Sequence, residues 1–200
     1  RQLNQRELEE GTRIFARYRG QRGHRIAERC ARNIIQDNDG DDIIILQGNG
    51  PCMEQLTRDT DIIEADFDNE VFALGSSSPA DLTRTLEEML PWGLEMIQAN
   101  QLDTGDNNIT VCIVDSGLAI GHPDFDHDII TGTDTVKFYG PAWNWSEDKS
   151  GHGTHVAGTI AALAGNDQGV SGVGRFRLHI ARALGDDGRG YESDIRKAVE

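Results

Sequence analysis

The chain has 200 residues and a mass of 22.0 kDa, room for one domain or two small ones. It carries 19 Lys and Arg against 34 Asp and Glu, a formal net charge of −15, and 37% of its residues are hydrophobic. That balance excludes a wholly disordered chain and disfavours nucleic acid or an anionic membrane surface as a partner, and no apolar run approaches the roughly 18 residues of a membrane span.

The charge is unevenly spread: residues 1–35 hold nine basic and four acidic side chains, residues 36–74 one and eleven. The basic stretch from Arg13 to Arg32 lacks interleaved aromatics and reads as a solvated helix face. Cys30, Cys52 and Cys112 are too few and too scattered for a disulfide framework or a C-x-x-C zinc site, and they leave the compartment open.

In chain order, residues 12–18 read as a strand, 21–31 as a helix with Ile26 and Cys30 four apart, and 33–36 as a short strand. Asn38-Asp39-Gly40 reads as a hairpin turn, with the positive φ expected at Asp-Gly. Residues 43–46 form the partner strand, Pro51 opens a short helix through Leu56, and 61–65 form a fourth strand. This β-α-β-β-α-β order is a split βαβ, ferredoxin-like module. Gly75-Ser76-Ser77-Ser78-Pro79 marks a linker, and Ser78-Pro79 suits a helix start. Beyond it, residues 109–114 predict a strand covered on both faces. Residues 152–163 predict a helix with Val156, Ile160 and Leu163 on one face. A buried strand over 178–183 and a helix from Ser193, with Ile195 and Val199 at i and i+4, complete an alternation typical of a parallel α/β sheet.

Functional side chains of such sheets gather beyond the carboxyl ends of the strands, and Asp115 falls there. Gly151-His152-Gly153-Thr154-His155 places an imidazole among small residues at a helix start, where backbone can approach closely. His155 reads as packed or hydrogen-bonded within the helix. A metal pair of His152 and His155 lacks the glutamate of an H-E-x-x-H site.

Val111-Cys112-Ile113-Val114-Asp115-Ser116-Gly117 followed by Gly151-His152-Gly153-Thr154-His155-Val156-Ala157-Gly158-Thr159 resembles the aspartate and histidine signatures of the subtilisin family of serine proteases. Pro91-Trp92-Gly93 with Gln98-Ala99 resembles the opening of that family's catalytic domain, and residues 12–74 resemble its inhibitory propeptide. The resemblance implies a propeptide-like domain over 1–74, a linker with a maturation site over 75–85, and an incomplete parallel-sheet peptidase domain over 86–200. His152 would be the general base and Asp115 its orienting carboxylate. The family's nucleophile lies in a Gly-Thr-Ser-Met-Ala-like segment, which this sequence does not contain. Ser171 and Ser193 do not resemble its setting, and Ser193 reads as a helix cap.

The resemblance further implies a structural calcium ion on Asp124 and Asn166, although a solvated turn accounts for the same residues, and no cofactor for catalysis. Leu184, Gly185, Gly188, Arg189 and Gly190 resemble the strand edge that pairs with extended polypeptide substrate. Residues 66–74 resemble the tail that lies there as an intramolecular inhibitor. Family analogy places such a protein outside the cell or in a vacuole, as a monomer. The start at Arg1 and the stop within a helical pattern read as a fragment, which would leave apolar faces of Val111, Ile113 and Ile180 uncovered. The competing expectation is a non-catalytic inhibitor or folding assistant that keeps only the propeptide module.

Overall fold

The computed structural model describes residues 11–38, 40–73, 88–101, 109–134 and 144–199. The chain divides into two compact units, residues 1–70 and 71–200. The expected linker over 75–85 and the helix start at Ser78-Pro79 lie outside the described residues.

In the first unit β1 (Thr12–Tyr18) turns Ile14, Ala16 and Tyr18 to one face, the period of two that a pleated strand imposes. α1 (Gly20–Cys30), β2 (Asn33–Asn38), β3 (Ile43–Gly48), α2 (Gly50–Arg58) and β4 (Ile62–Phe67) follow. The sheet order β2-β3-β1-β4 inserts β3, antiparallel to both neighbours, between the two strands that α1 connects. This is the ferredoxin-like arrangement expected from the element order. Ile44, Leu46 and Ile62 join the β1 residues in a core closed by Ala27 from α1 and by Cys52 and Leu56 from α2. The β2–β3 turn differs in detail from expectation. Asp42, at φ 56°, is left-handed in this turn, while Asp39 lies outside the described residues; a short polar side chain tolerates that conformation. His24 on α1 bonds Asp37 on β2 at 2.7 Å, tying helix to strand.

α2 begins on Asn49, whose side chain accepts from the Cys52 N–H at 3.1 Å, with Pro51 in the first turn. Cys52 is joined to Cys30 by a disulfide, Cα–Cα 5.1 Å, that fastens the end of α1 to the start of α2. Its closed loop spans a sequence separation of 22; a loop of that length restricts the unfolded chain by on the order of 3 kcal/mol. Reducing agent should therefore lower the urea midpoint of the chain, and Cys30→Ala/Cys52→Ala should show the lowered midpoint with no further response to reductant. An unchanged midpoint on reduction would show that the bond does not form.

The second unit holds β5 (Glu70–Phe72) from residue 71 onward, α3 (Trp92–Met96), β6 (Thr110–Asp115), β7 (Ile130–Asp134), α4 (His152–Ala161), β8 (Arg177–Arg182), β9 (Arg189–Tyr191) and α5 (Glu192–Val199). β6, β8 and β7 form a parallel sheet in that order, with Ile113 opposite Ile180 and Asp115 opposite Arg182. β5 pairs with β9. Ile113, Leu178 and Ile180 pack with Leu118 and Phe125 against Ala157 and Ala161 of α4.

Three expectations change here. β6 is covered on one face only among the described residues, because Thr110 and Cys112 are exposed; the uncovered face carries those two with Thr131 and Thr133, while Ile113 and Ile180 are buried and Val111 is half-buried. α4 buries Gly153, Ala157, Gly158 and Ala161, with Val156 and Ile160 at the margin; at Gly153 the reason is steric, since a Cβ there would meet the Gly117 carbonyl. α5 turns Ser193 and Asp194 inward and leaves Val199 74% exposed.

Candidate active site

β6 ends in Asp115, 7% exposed, whose main-chain oxygen accepts from Ala183 N–H at 2.8 Å and Leu184 N–H at 3.1 Å. Its side chain meets the ring of His152, the first residue of α4: Nδ1 lies 2.8 Å from Oδ1 and 2.9 Å from Oδ2. The structure thus brings Asp115 and His152 together. With the proton on Nδ1 donated to the carboxylate, Nε2 keeps its lone pair, the state a general base needs. Ser116 N–H also donates to Asp115 Oδ1, at 2.7 Å. His155 is exposed on the same helix, contrary to its expected packing, because the inward face is taken by the small residues.

Two glycines let these elements meet. A Cβ on Gly153 would stand 2.2 Å from the Gly117 carbonyl oxygen, and one on Gly117, at φ 112°, would stand 2.2 Å from the Glu147 oxygen. Leu118 N–H donates to Trp145 O at 2.8 Å, closing the loop after β6 onto the segment before α4.

Leu184, Gly185, Gly188 and Gly190 are buried around β9, and Arg189 is exposed. Gly185 N–H donates to Arg189 O at 2.7 Å, and Ala73 N–H donates to Gly188 O at 2.8 Å. Of the tail expected over 66–74, Asp66 and Phe67 belong instead to β4, where they pair with Phe15 and Ile14, and Asp68 is held by Arg13 at 2.8 Å. Hydrogen bonding to β1 outcompetes an extended tail there, so the segment running along β9 is shorter. Leu74 lies outside the described residues.

Asp124 and Asn166 come together, 3% exposed in the case of Asp124. Asp124 accepts from Asn166 Nδ2 at 2.9 Å and from Val170 N–H at 3.0 Å, while Asn166 Oδ1 accepts from Gln168 N–H at 3.0 Å. Carboxylate and amide oxygens are a donor set for a hard cation once the Asn166 amide turns over. Ser171 donates to Glu88 and stands on this same loop, and Ser193 is a buried residue in the first turn of α5.

Sequence reasoning passed over Asp148 and Arg182. Asp148 accepts from Gly151 N–H at 2.9 Å and from Thr154 N–H at 2.8 Å. A glycine at the helix start, unable to cap with its own side chain, was the available signal. Arg182, 2% exposed, donates to Asn144 O at 2.9 Å, Glu147 O at 3.0 Å and Asp186 Oδ1 at 2.6 Å. Its signal was a cation ending an apolar run.

Residues 106–200 match the model of Peptidase_S8, the subtilase family. Through these residues the chain is similar to the subtilase family. It is similar to Subtilisin BL of Lederbergia lenta, 40% identical over 118 residues that cover 56% of this chain and 40% of that one. It is also similar to a subtilisin-like serine protease of Davidiella tassiana, 31% identical over 160 residues covering 74% and 28% of the two chains. The solved structure of fervidolysin from Fervidobacterium pennivorans, a keratinolytic enzyme related to subtilisin, shares the fold over 90% of this chain and 31% of that one, with a TM-score of 0.53 at 20% identity. The chain thus spans 27–40% of the length of these curated relatives and the Bacillus subtilisin at 36% identity.

The Lys149 ammonium beside Asp186 is the main reason its carboxyl sits below the usual aspartate range, burial opposing and Arg182 assisting; Lys149 is correspondingly raised. A lowered carboxyl stabilises the fold above its unfolded value and ceases to as pH falls through the folded one. Asp186→Asn should therefore melt below the wild type at neutral pH, with the gap closing as pH drops past the carboxylate range. A gap constant from neutral to acid pH would refute the ion pair.

Proposed function

We propose that this chain carries the acid–base pair of a serine endopeptidase together with its own inhibitory segment. The observation that carries the reading is the Nδ1 contact of His152 with both oxygens of Asp115 at 2.8 and 2.9 Å. A serine hydroxyl is a poor nucleophile until an imidazole takes its proton. His152 Nε2 would accept that proton as the oxygen attacks a peptide carbonyl and return it to the leaving amine, while Asp115 fixes the tautomer and stabilises the imidazolium. The serine would come from a Gly-Thr-Ser-Met-Ala-like segment outside these 200 residues, so the chain by itself would be inactive.

Polypeptide would bind by strand addition along β9, and residues 71–73 would occupy that edge as a product-like inhibitor; the β5–β9 pairing and the Ala73–Gly188 bond support this. The Cys30–Cys52 bond supports a secreted protein, because disulfides persist in oxidising compartments. The monomer is the simplest state for such a zymogen.

A fluorophosphonate probe tests the reading. We expect no labelling of the 200-residue chain and labelling of a product extended through the serine segment, lost in His152→Ala. An extended, folded product that takes no label would leave the non-catalytic inhibitor as the better reading, and label on Ser171 or Ser193 would overturn the account of the nucleophile.

A calcium ion on Asp124 and Asn166 would brace the loop from residue 163 to 172. Its signature is a melting temperature that rises with calcium and falls with chelator, with the increment absent in Asp124→Asn. A wild-type melt indifferent to both would remove calcium from the account.

A further inference from the structure

We propose that Asp148 is a positioning residue for the Asp115–His152 pair, acting through Ser116 and the first turn of α4. The proposal rests on the reading of that pair as orienting carboxylate and general base. α4 starts after Gly151, at φ 79°, which has no side chain with which to cap. The N–H groups of a helix start need acceptors from elsewhere. Asp148 supplies them: Oδ1 accepts from Gly151 N–H, and Oδ2 accepts from both the N–H and, at 2.7 Å, the hydroxyl of Thr154. Negative charge at a helix start is also favoured by the helix dipole.

A plain cap would end there, but this one reaches a second element. Ser116 Oγ–H donates to Asp148 Oδ1 at 2.9 Å. Its proton spent, the Ser116 oxygen accepts from Gly153 N–H at 3.0 Å, and the Ser116 main-chain N–H holds Asp115 Oδ1. A carboxylate offers about four lone-pair sites, and here all of them are used. The bonds close a ring: His152 to Asp115, Asp115 to Ser116, Ser116 to Asp148, and Asp148 back to Gly151 and Thr154, which flank His152 and Gly153. One carboxylate therefore fixes both the strand end that bears Asp115 and the helix turn that bears His152. Catalytic geometry tolerates errors of only about 0.5 Å, so such a shared anchor sets the pair's alignment. Asparagine at 148 has one acceptor oxygen in place of two and cannot satisfy all four donors.

The test reads the imidazole itself in the 200-residue chain, with ¹⁵N-labelled histidine. A Nδ1 proton held by Asp115 gives an exchange-protected low-field resonance, assigned by its loss in His152→Ala. In folded Asp148→Asn we expect its exchange with water to quicken roughly tenfold or more, the scale of one lost hydrogen bond. Ser116→Ala keeps the bonds of Asp148 to α4 but cuts the arm to β6, and the same quickening is expected there. If folded Ser116→Ala keeps the wild-type exchange rate, Asp148 is only a helix cap and the proposal is overturned, whether or not Asp148→Asn folds. If the wild-type chain lacks the resonance, the Asp115–His152 pair itself falls and the proposal falls with it.

Discussion

The contact on which the second unit depends is the approach of the end of β6 to the start of α4, backbone against backbone. Gly117 and Gly153 stand so close that a Cβ on either would overlap a carbonyl oxygen at 2.2 Å. That closeness carries Asp115 and His152 into a hydrogen bond although 37 residues separate them. It also explains the glycine at 153 in the first turn of α4: a side chain there would push the helix from the loop after β6 and take His152 with it.

Around this contact Arg182, Asp186 and Lys149 form a connected set of polar contacts. Buried Arg182 reaches two carbonyls of the segment before α4 and the carboxylate of Asp186, so its buried charge is compensated. Asp186 in turn holds Lys149, two residues after Glu147 and three before His152. The loop from 144 to 151 is thereby fastened to β8 on one side and, through Asp148, to α4 on the other.

The first unit solves a different problem. It is a small sheet with two helices, and the disulfide between those helices supplements a core of nine buried residues. Its last strand runs to Phe67, and the chain that leaves it reaches Ala73 beside Gly188 within the second unit. A segment of the same chain meets β9 at an effective concentration set by the short connection.

The sequence by itself determined the local pattern and the chemistry-bearing residues. Residues 12–18 gave β1 with its boundaries, Pro51 marks the start of α2, and the signatures around Asp115 and His152 name the pair through the family they resemble. Tertiary structure alone decided which residues serve that pair. Ser116 and Asp148 are 32 residues apart and no periodicity links them. The Cys30–Cys52 bond, the pairing of Asp66 and Phe67 with β1, and the outward turn of His155 and Val199 were hidden for the same reason. Periodicity records what a side chain does relative to its own helix or strand; which partner lies across the gap is fixed only when close packing and the need to satisfy every buried polar group act on the whole chain.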